Sequence, residues 1–344
     1  MKQGGSTRGM ARWLAAACIA LLQCAALAPA VAADVLNVGV IRLSSAGPVV
    51  IAAEKGYFKA QGLDVQIKVF EAASQLPVAV VSGDLDVGVT GLTAAFYNLA
   101  GRDGVKIIAG QVREDPRYRL TAIMVTDKAY AAGFHSIADM PGKRIGITTT
   151  GSTFHYMMGL LAQKHGFDLS SVTLVPLQSL PNAMAAFTGA QVDGALFPIS
   201  NAQKLTGAKT GRIIGWVGDE AAWQVGAVFA SPKTLQQRRE PIERFLRGYE
   251  QGVKAYNAAF NTKDASGNIV KGAEYKELLG MLANWLGLPP EQVDAVPYVD
   301  TQVDEKDIAR QVQFWQANNL VPKTVDARSV VDASFLQGAT PAKR

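Results

Sequence analysis

Thr149-Thr150-Gly151-Ser152-Thr153 leads into a helical pattern that runs to His165-Gly166, and no other segment of this 344-residue chain is as well suited to chemistry. A helix N-terminus leaves backbone N–H groups unpaired and carries the positive end of the helix dipole. Gly151 lets a ligand approach the backbone, and the hydroxyls of Ser152 and Thr153 add donors suited to sulfonate, carboxylate or phosphate oxygens. Ser152 or Thr153 also reads as the N-cap alone, and the two roles are compatible. Arg42 and Arg113 each follow a β-rich run, and a guanidinium fork pairs with a carboxylate or sulfonate through two hydrogen bonds. Arg113 reads equally well as a surface charge or as a partner of Glu114 or Asp115. His155 lies near the same helix start and reads as a ligand donor or part of the wall; His165 reads as a helix C-terminal residue favoured by the dipole. Phe154, Tyr156, Phe197 and Trp223 either fill the core or flank an organic tail, and Phe197 and Trp223 are kept as candidate ligand contacts.

Catalysis finds little support. There is no Gly-x-Ser-x-Gly elbow, no His-Glu-x-x-His and no phosphate-loop lysine. Three histidines and two cysteines, both near the N-terminus, make a zinc site unexpected. The expectation is a chain that is not an enzyme and holds no metal or cofactor.

Lys2, Arg8 and Arg12 precede an apolar run from Trp13 to Ala28, and Ala30-Val31-Ala32-Ala33 supplies small residues for cleavage. This reads as a signal peptide over residues 1–33 and implies export to the periplasm. Cys18 and Cys24 fall inside it, so the exported chain has no cysteine and must be held by its core. The full chain has 34 basic and 29 acidic residues; without the three basic residues of the leader the balance is 31 to 29. A nearly neutral chain without a basic stripe excludes nucleic acid as the expected partner. Some 300 residues exceed what one hydrophobic core usually serves, so two lobes are expected.

An internal repeat supports that division. Leu36–Ile41, a loop, a helix from Pro48 to Gly56, the alternating run Val65-Gln66-Ile67-Lys68-Val69, a Leu76-Pro77 helix start and Asp86–Thr90 form one unit. Arg144–Ile147, the Thr/Gly/Ser loop, the helix to His165, Val172–Val175, Leu180-Pro181 and Val192-Asp193-Gly194 repeat the order. Each β-α-β-α-β unit predicts an open, mostly parallel sheet, and such sheets bind ligands beyond the carboxyl ends of their strands. Loops 42–47, 90–93, 149–154 and 197–201 are thereby expected to line a cleft. Arg42, Leu43, Ser44, Thr90, Gly91, Arg113, Thr150, Gly151, Ser152, Thr153, His155, Phe197 and Trp223 are the expected ligand-binding residues.

Ala53-Glu54-Lys55-Gly56-Tyr57-Phe58 with Gln61-Gly62-Leu63-Asp64-Val65, Gly83-Asp84-Leu85-Asp86-Val87-Gly88, and Ser136 to Ile147 followed by Gly151-Ser152 resemble the substrate-binding proteins of nitrate, sulfonate and taurine importers and their thiamine-pyrimidine-precursor relatives. The resemblance spans roughly Val35 to Tyr256. It implies an α/β, two-lobed periplasmic binding fold of type II that closes like a hinge, with the chain crossing near Arg117 and returning near Val228. Lobe one would be residues 34–117 plus 229–344 and lobe two 118–228, with C-terminal helices added to lobe one. It also implies a monomer that serves an inner-membrane ABC permease and its cytoplasmic ATPase. The expected ligand is a small organic anion; the alternatives are a neutral or cationic heterocycle such as a pyrimidine precursor, and a sensing role without transport. The related pyrimidine synthases carry a cysteine-rich motif and hold pyridoxal phosphate, and the exported chain has no cysteine.

Overall fold

Each copy of the repeat supplies three parallel strands to a sheet of its own in the computed structural model, which describes residues 33–293 and 296–336. The leader expected over residues 1–33 lies outside the described residues but for Ala33. β1 (Asp34–Ile41), β2 (Leu63–Phe70) and β3 (Val87–Gly91) pair in the order β2-β1-β3. β7 (Arg144–Ile147), β8 (Thr173–Pro176) and β9 (Gly194–Pro198) pair in the order β8-β7-β9. The equivalence holds to the residue. The Asp86 carboxylate accepts the N–H of Asn37 at 2.8 Å, and that of Asp193 accepts the N–H of Arg144 at 2.8 Å, with 49 positions between partners in both copies. Each carboxylate ties its central strand to the turn that delivers the third.

Six further strands complete the sheets and join them: β4 (Lys106–Gly110), β5 (Arg113–Glu114), β6 (Thr121–Thr126), β10 (Gly211–Trp216), β11 (Trp223–Gln224) and β12 (Gly226–Ala230). After β4 the chain runs through β5 and lays β6 antiparallel against β9; it returns through β11 and lays β12 antiparallel between β3 and β4. The full orders are β2-β1-β3-β12-β4 and β10-β6-β9-β7-β8. Both sheets are mixed, because a strand arriving directly from the other sheet needs no crossover helix and can enter in the opposite sense. β5 and β11 pair with each other, Glu114 opposite Trp223 and Arg113 opposite Gln224, and form a short ribbon between the sheets. Val228, expected near the return, lies inside β12 opposite Val89, so the return falls earlier, at β11.

The helix predicted from Thr153 to His165 has those ends, with Ser152 as N-cap and Gly166 left-handed at φ 70° as its stop. Both Leu-Pro signals start helices, Leu76–Ser82 and Leu180–Thr188, where proline in the first turn loses no hydrogen bond. The long helix Arg239–Phe260 buries Ile242, Phe245, Tyr249, Val253 and Tyr256 against the first sheet's side of the molecule, and Phe245 stacks on Phe58 at 5.1 Å.

The later helix Glu305–Ala317, expected to pack on lobe one, contacts the first-sheet side and reaches the second copy as well. Tyr97 Oη donates to Gln311 Oε1 at 3.0 Å on the first-sheet side. Phe314 meets Tyr156 at 4.9 Å on the helix of the second copy, and Tyr156 meets Trp223 of the ribbon at 4.8 Å. Trp315 and Trp223 are fully buried, so the bridge takes two large rings out of water. Gly159 makes this approach possible, since a Cβ there would stand 2.2 Å from the Phe314 ring. Gly159→Leu is therefore expected to destabilise by about 1–3 kcal/mol through overpacking, with partial recovery when Phe314→Ala is added. Urea midpoints over the double-mutant cycle check this; on an unpacked helix face the same leucine would stabilise.

Candidate functional site

Strand ends from both sheets meet around a cavity of about 70 Å³. Leu43, Ser44 and Ser45 come from the end of β1, Glu71 to Ser74 from the end of β2, and Thr90 and Gly91 from β3. Across from them stand Thr148 and Thr149 after β7, Ser152, Thr153, Phe154 and Met157 at the start of the Thr153–His165 helix, and Pro198 from β9. The floor is made of crossing segments, with Gln111, Val112, Leu120, Thr121 and Val225.

The two walls touch. The N–H of Ala94 donates to the Gly151 carbonyl at 2.8 Å, linking the loop after β3 to the loop after β7. Gly151 is left-handed at φ 81°, and a Cβ on it would lie 2.8 Å from that of Ala94; a Cβ on Gly91 would lie 2.7 Å from Thr153 Cγ2. Glycine at both places sets how closely the walls can approach.

Ser152 caps its helix, its hydroxyl oxygen accepting the N–H of His155 at 3.4 Å, and it also lines the cavity. Both readings of this residue hold together. The N–H groups of Thr153 and Phe154, the first two of the helix, have no intrahelical acceptor by construction and belong to residues of the cavity wall.

Of the thirteen expected contacts, Leu43, Ser44, Thr90, Gly91, Ser152 and Thr153 line the cavity. The other seven do not, and each has a physical reason. Arg42 turns away: its Nη1 donates to the Trp285 carbonyl at 2.8 Å and its guanidinium lies 4.8 Å from that indole's centre. Arg113 pairs with Asp304 at 3.3 Å, a partner far along the chain, and not with Glu114 or Asp115. His155 Nδ1 accepts the N–H of Gly151 at 3.1 Å, and burial holds its pKa below the usual histidine value, so at neutral pH the ring is an uncharged acceptor that shapes the loop. Thr150 is exposed beside the cavity, and Gly151 contributes through the wall contact. Phe197 is fully buried against Phe187 at 5.4 Å, and Trp223 is buried against Tyr156, so both serve the core. His165 ends its helix as expected and also meets Glu220 at 2.9 Å.

Glu71 to Ser74 were not singled out, although they follow a strand end and the same topological rule points to them. Gln111 and Thr121 carried no local signal. Gln111 is buried, donates through Nε2 to the Ser45 carbonyl at 3.2 Å, and leaves Oε1 without a protein partner. Glu71 is the one ionisable side chain in the described lining, and hydroxyls, amides and apolar groups make up the rest of the wall.

A family model described as NMT1/THI5 like matches residues 44–260, more than half of the chain. The chain belongs to the NMT1/THI5-like family. Among solved structures, this family member is similar in fold to the alkanesulfonate-binding protein SsuA of Xanthomonas axonopodis pv. citri bound to MOPS, with a TM-score of 0.71, 20% identity and coverage of 88% of this chain and 99% of that one. It is similar to the periplasmic nitrate-binding protein NrtA of Synechocystis PCC 6803, with a TM-score of 0.67, 12% identity and coverage of 89% and 88%. The desulfurization enzyme DszB shares the fold as well, at a TM-score of 0.60 and 15% identity over 89% and 98% of the two chains. A protein of Brucella abortus named as a binding protein is 30% identical over 146 residues, a match that spans 42% of this chain and 41% of that relative's length. No helix among the described residues is long and apolar enough to cross a membrane, and none of them form a His/Cys/Asp/Glu group suited to a metal ion.

Glu114, beside the cavity floor in β5, is fully buried. Burial pushes its carboxyl up from 4.5 to about 8, and neither of its oxygens has a hydrogen-bond partner among the described residues. The folded protein thus keeps a proton that the unfolded chain releases near pH 4.5, so this contribution to stability is complete below pH 4.5 and is lost as pH rises through 8. Glu114→Gln is expected to melt like the parent protein at pH 5 and at a higher temperature than the parent at pH 9. Melting curves at the two pH values check it.

Proposed function

We propose that this chain is an extracytoplasmic solute-binding protein that delivers a small organic anion, a sulfonate or carboxylate, to an ABC importer. Two lobes, one built on each sheet, would close on the ligand about the β5–β11 ribbon, and the expected leader would place the protein in the periplasm. The observation that carries the reading is the start of the Thr153–His165 helix, where two N–H groups without intrahelical acceptors and the hydroxyls of Ser152 and Thr153 belong to the wall of a cavity shared by both sheets. A helix N-terminus stabilises an oxyanion there without a charged side chain. Binding is favoured over catalysis because no histidine or cysteine lines the cavity to activate its hydroxyls, and His155 Nδ1 is already committed to Gly151.

A second reading has its own observation. The lining has no basic side chain, and the unpartnered Gln111 Oε1 would accept from a ring N–H, which favours an uncharged heterocycle such as a pyrimidine precursor.

Thermal shift separates the two, since a ligand of the folded state raises the melting temperature with its concentration. Ethanesulfonate, butanesulfonate, benzoate, nitrate and uncharged pyrimidines are the probes. Thr153→Pro removes one N–H and one hydroxyl at a position where proline leaves the helix intact. On the anion reading it weakens sulfonate binding about tenfold or more, the worth of a charge-assisted hydrogen bond. Stabilisation by pyrimidines alone, unchanged by Thr153→Pro, would establish the second reading instead.

A further inference from the structure

A larger cavity lies beside the small one. A second chamber of about 360 Å³ shares Ile41, Glu71 and Leu180 with the first, so the two are neighbours through a common wall of residues. Val69 and Phe70 from β2 bound it on one side, and Pro181 and Met184 from the Leu180–Thr188 helix on the other. The chamber thus adjoins the inner cavity between β2 and the Leu180–Thr188 helix, with the side chains of Arg42 and Lys204 exposed along it.

Its charges differ from those of the inner cavity. Arg42 and Lys204 both line the outer chamber, whereas no basic side chain lines the inner one. Arg42 follows β1 on the first-sheet wall, and Lys204 lies on the helix Ile199–Gly207 on the second-sheet wall. No carboxylate stands within salt-bridge distance of either among the described residues. Arg42 is nevertheless fixed, by the Trp285 carbonyl at 2.8 Å and by the indole face at 4.8 Å, contacts that orient its guanidinium without neutralising it. Glu71, at the shared wall, is the only acid of the chamber, so its lining sums to one positive charge. Two cations on facing walls of a cleft repel each other as the walls approach unless an anion lies between them.

We infer that the ligand carries two acid groups separated by an apolar body, one group on the donors at the start of the Thr153–His165 helix and the other in the outer chamber between Arg42 and Lys204. The inference rests on the anion reading above and narrows it from organic anions to elongated dianions. Ile41 and Leu180, which line both chambers, would flank the apolar body, and the two cations would read its length and its distal charge.

The test compares probes of equal carbon number that differ only at the distal end: butanesulfonate against 4-sulfobutanoate, and heptanoate against heptanedioate, each titrated calorimetrically into the full exported chain at low and at physiological salt. The dianion of each pair is expected to bind about five- to tenfold more tightly, with an advantage that shrinks as salt rises. In the Arg42→Met, Lys204→Met double variant the ratio of dianion to monoanion affinity is expected to fall to about one. A ratio of one or less in the parent, or an advantage that survives in the double variant, would each overturn the inference while leaving the anion reading intact. Failure of all four acids to bind would defeat the anion reading and this inference together.

Discussion

Two stretches of chain have to pass between the sheets, and the rest of the molecule is arranged around keeping them there. The β5–β11 ribbon is only two residues on each side, too short to hold itself, and it carries buried polar groups that need partners. The helix Glu305–Ala317 supplies them. The N–H of Gln224 and the Nε2 of Gln311 donate to the buried Asp307 carboxylate at 2.7 and 2.9 Å, Gln311 also donates to the Gln224 carbonyl at 2.7 Å, and the N–H of Asp304 donates to Gln224 Oε1 at 2.7 Å. Burial raises the Asp307 pKa against those donors and Arg310, so the network is stable only while its hydrogen bonds are complete. A helix far along the chain thereby fixes the crossing that forms the cavity floor.

The same arrangement sorts the charges. Three groups close to the cavity are neutral or neutralised: His155 is held uncharged by burial, Glu114 keeps its proton at neutral pH, and Arg113 is paired with Asp304. Apart from the Glu71 carboxylate, what remains toward the inner cavity are hydroxyls, amides and helix-end N–H groups, whose dipoles are fixed and need little reorganisation to meet an oxyanion. Arg42 and Lys204 stand farther out. In the proposed reading this division lets the inner cavity recognise an acid group by geometry and the outer chamber recognise the remainder of the ligand by charge and length.

The sequence by itself determined the parts whose signal is local. Apolar periodicity and Leu-Pro starts marked the elements, Gly166 and Ser152 marked one helix to its ends, and the repeat announced two like sheets because each unit buries its strands in the same way. The rule that ligands gather at strand ends placed Leu43, Ser44, Thr90, Gly91, Ser152 and Thr153 on the cavity, since those positions follow from connectivity alone. Tertiary structure decided everything that depends on which distant segment comes near. Arg42 could be placed at the mouth of a strand, but only the approach of Trp285, 243 residues on, turned its guanidinium away from the inner cavity. Arg113 took Asp304 over the two acids beside it, and Gln111 became a floor residue because the crossing carries it under both sheets. The exchange of β6 and β12 between sheets and the bridging by Phe314 have the same origin. A long polar side chain can reach several partners of similar energy, and only the packed chain determines which of them it meets.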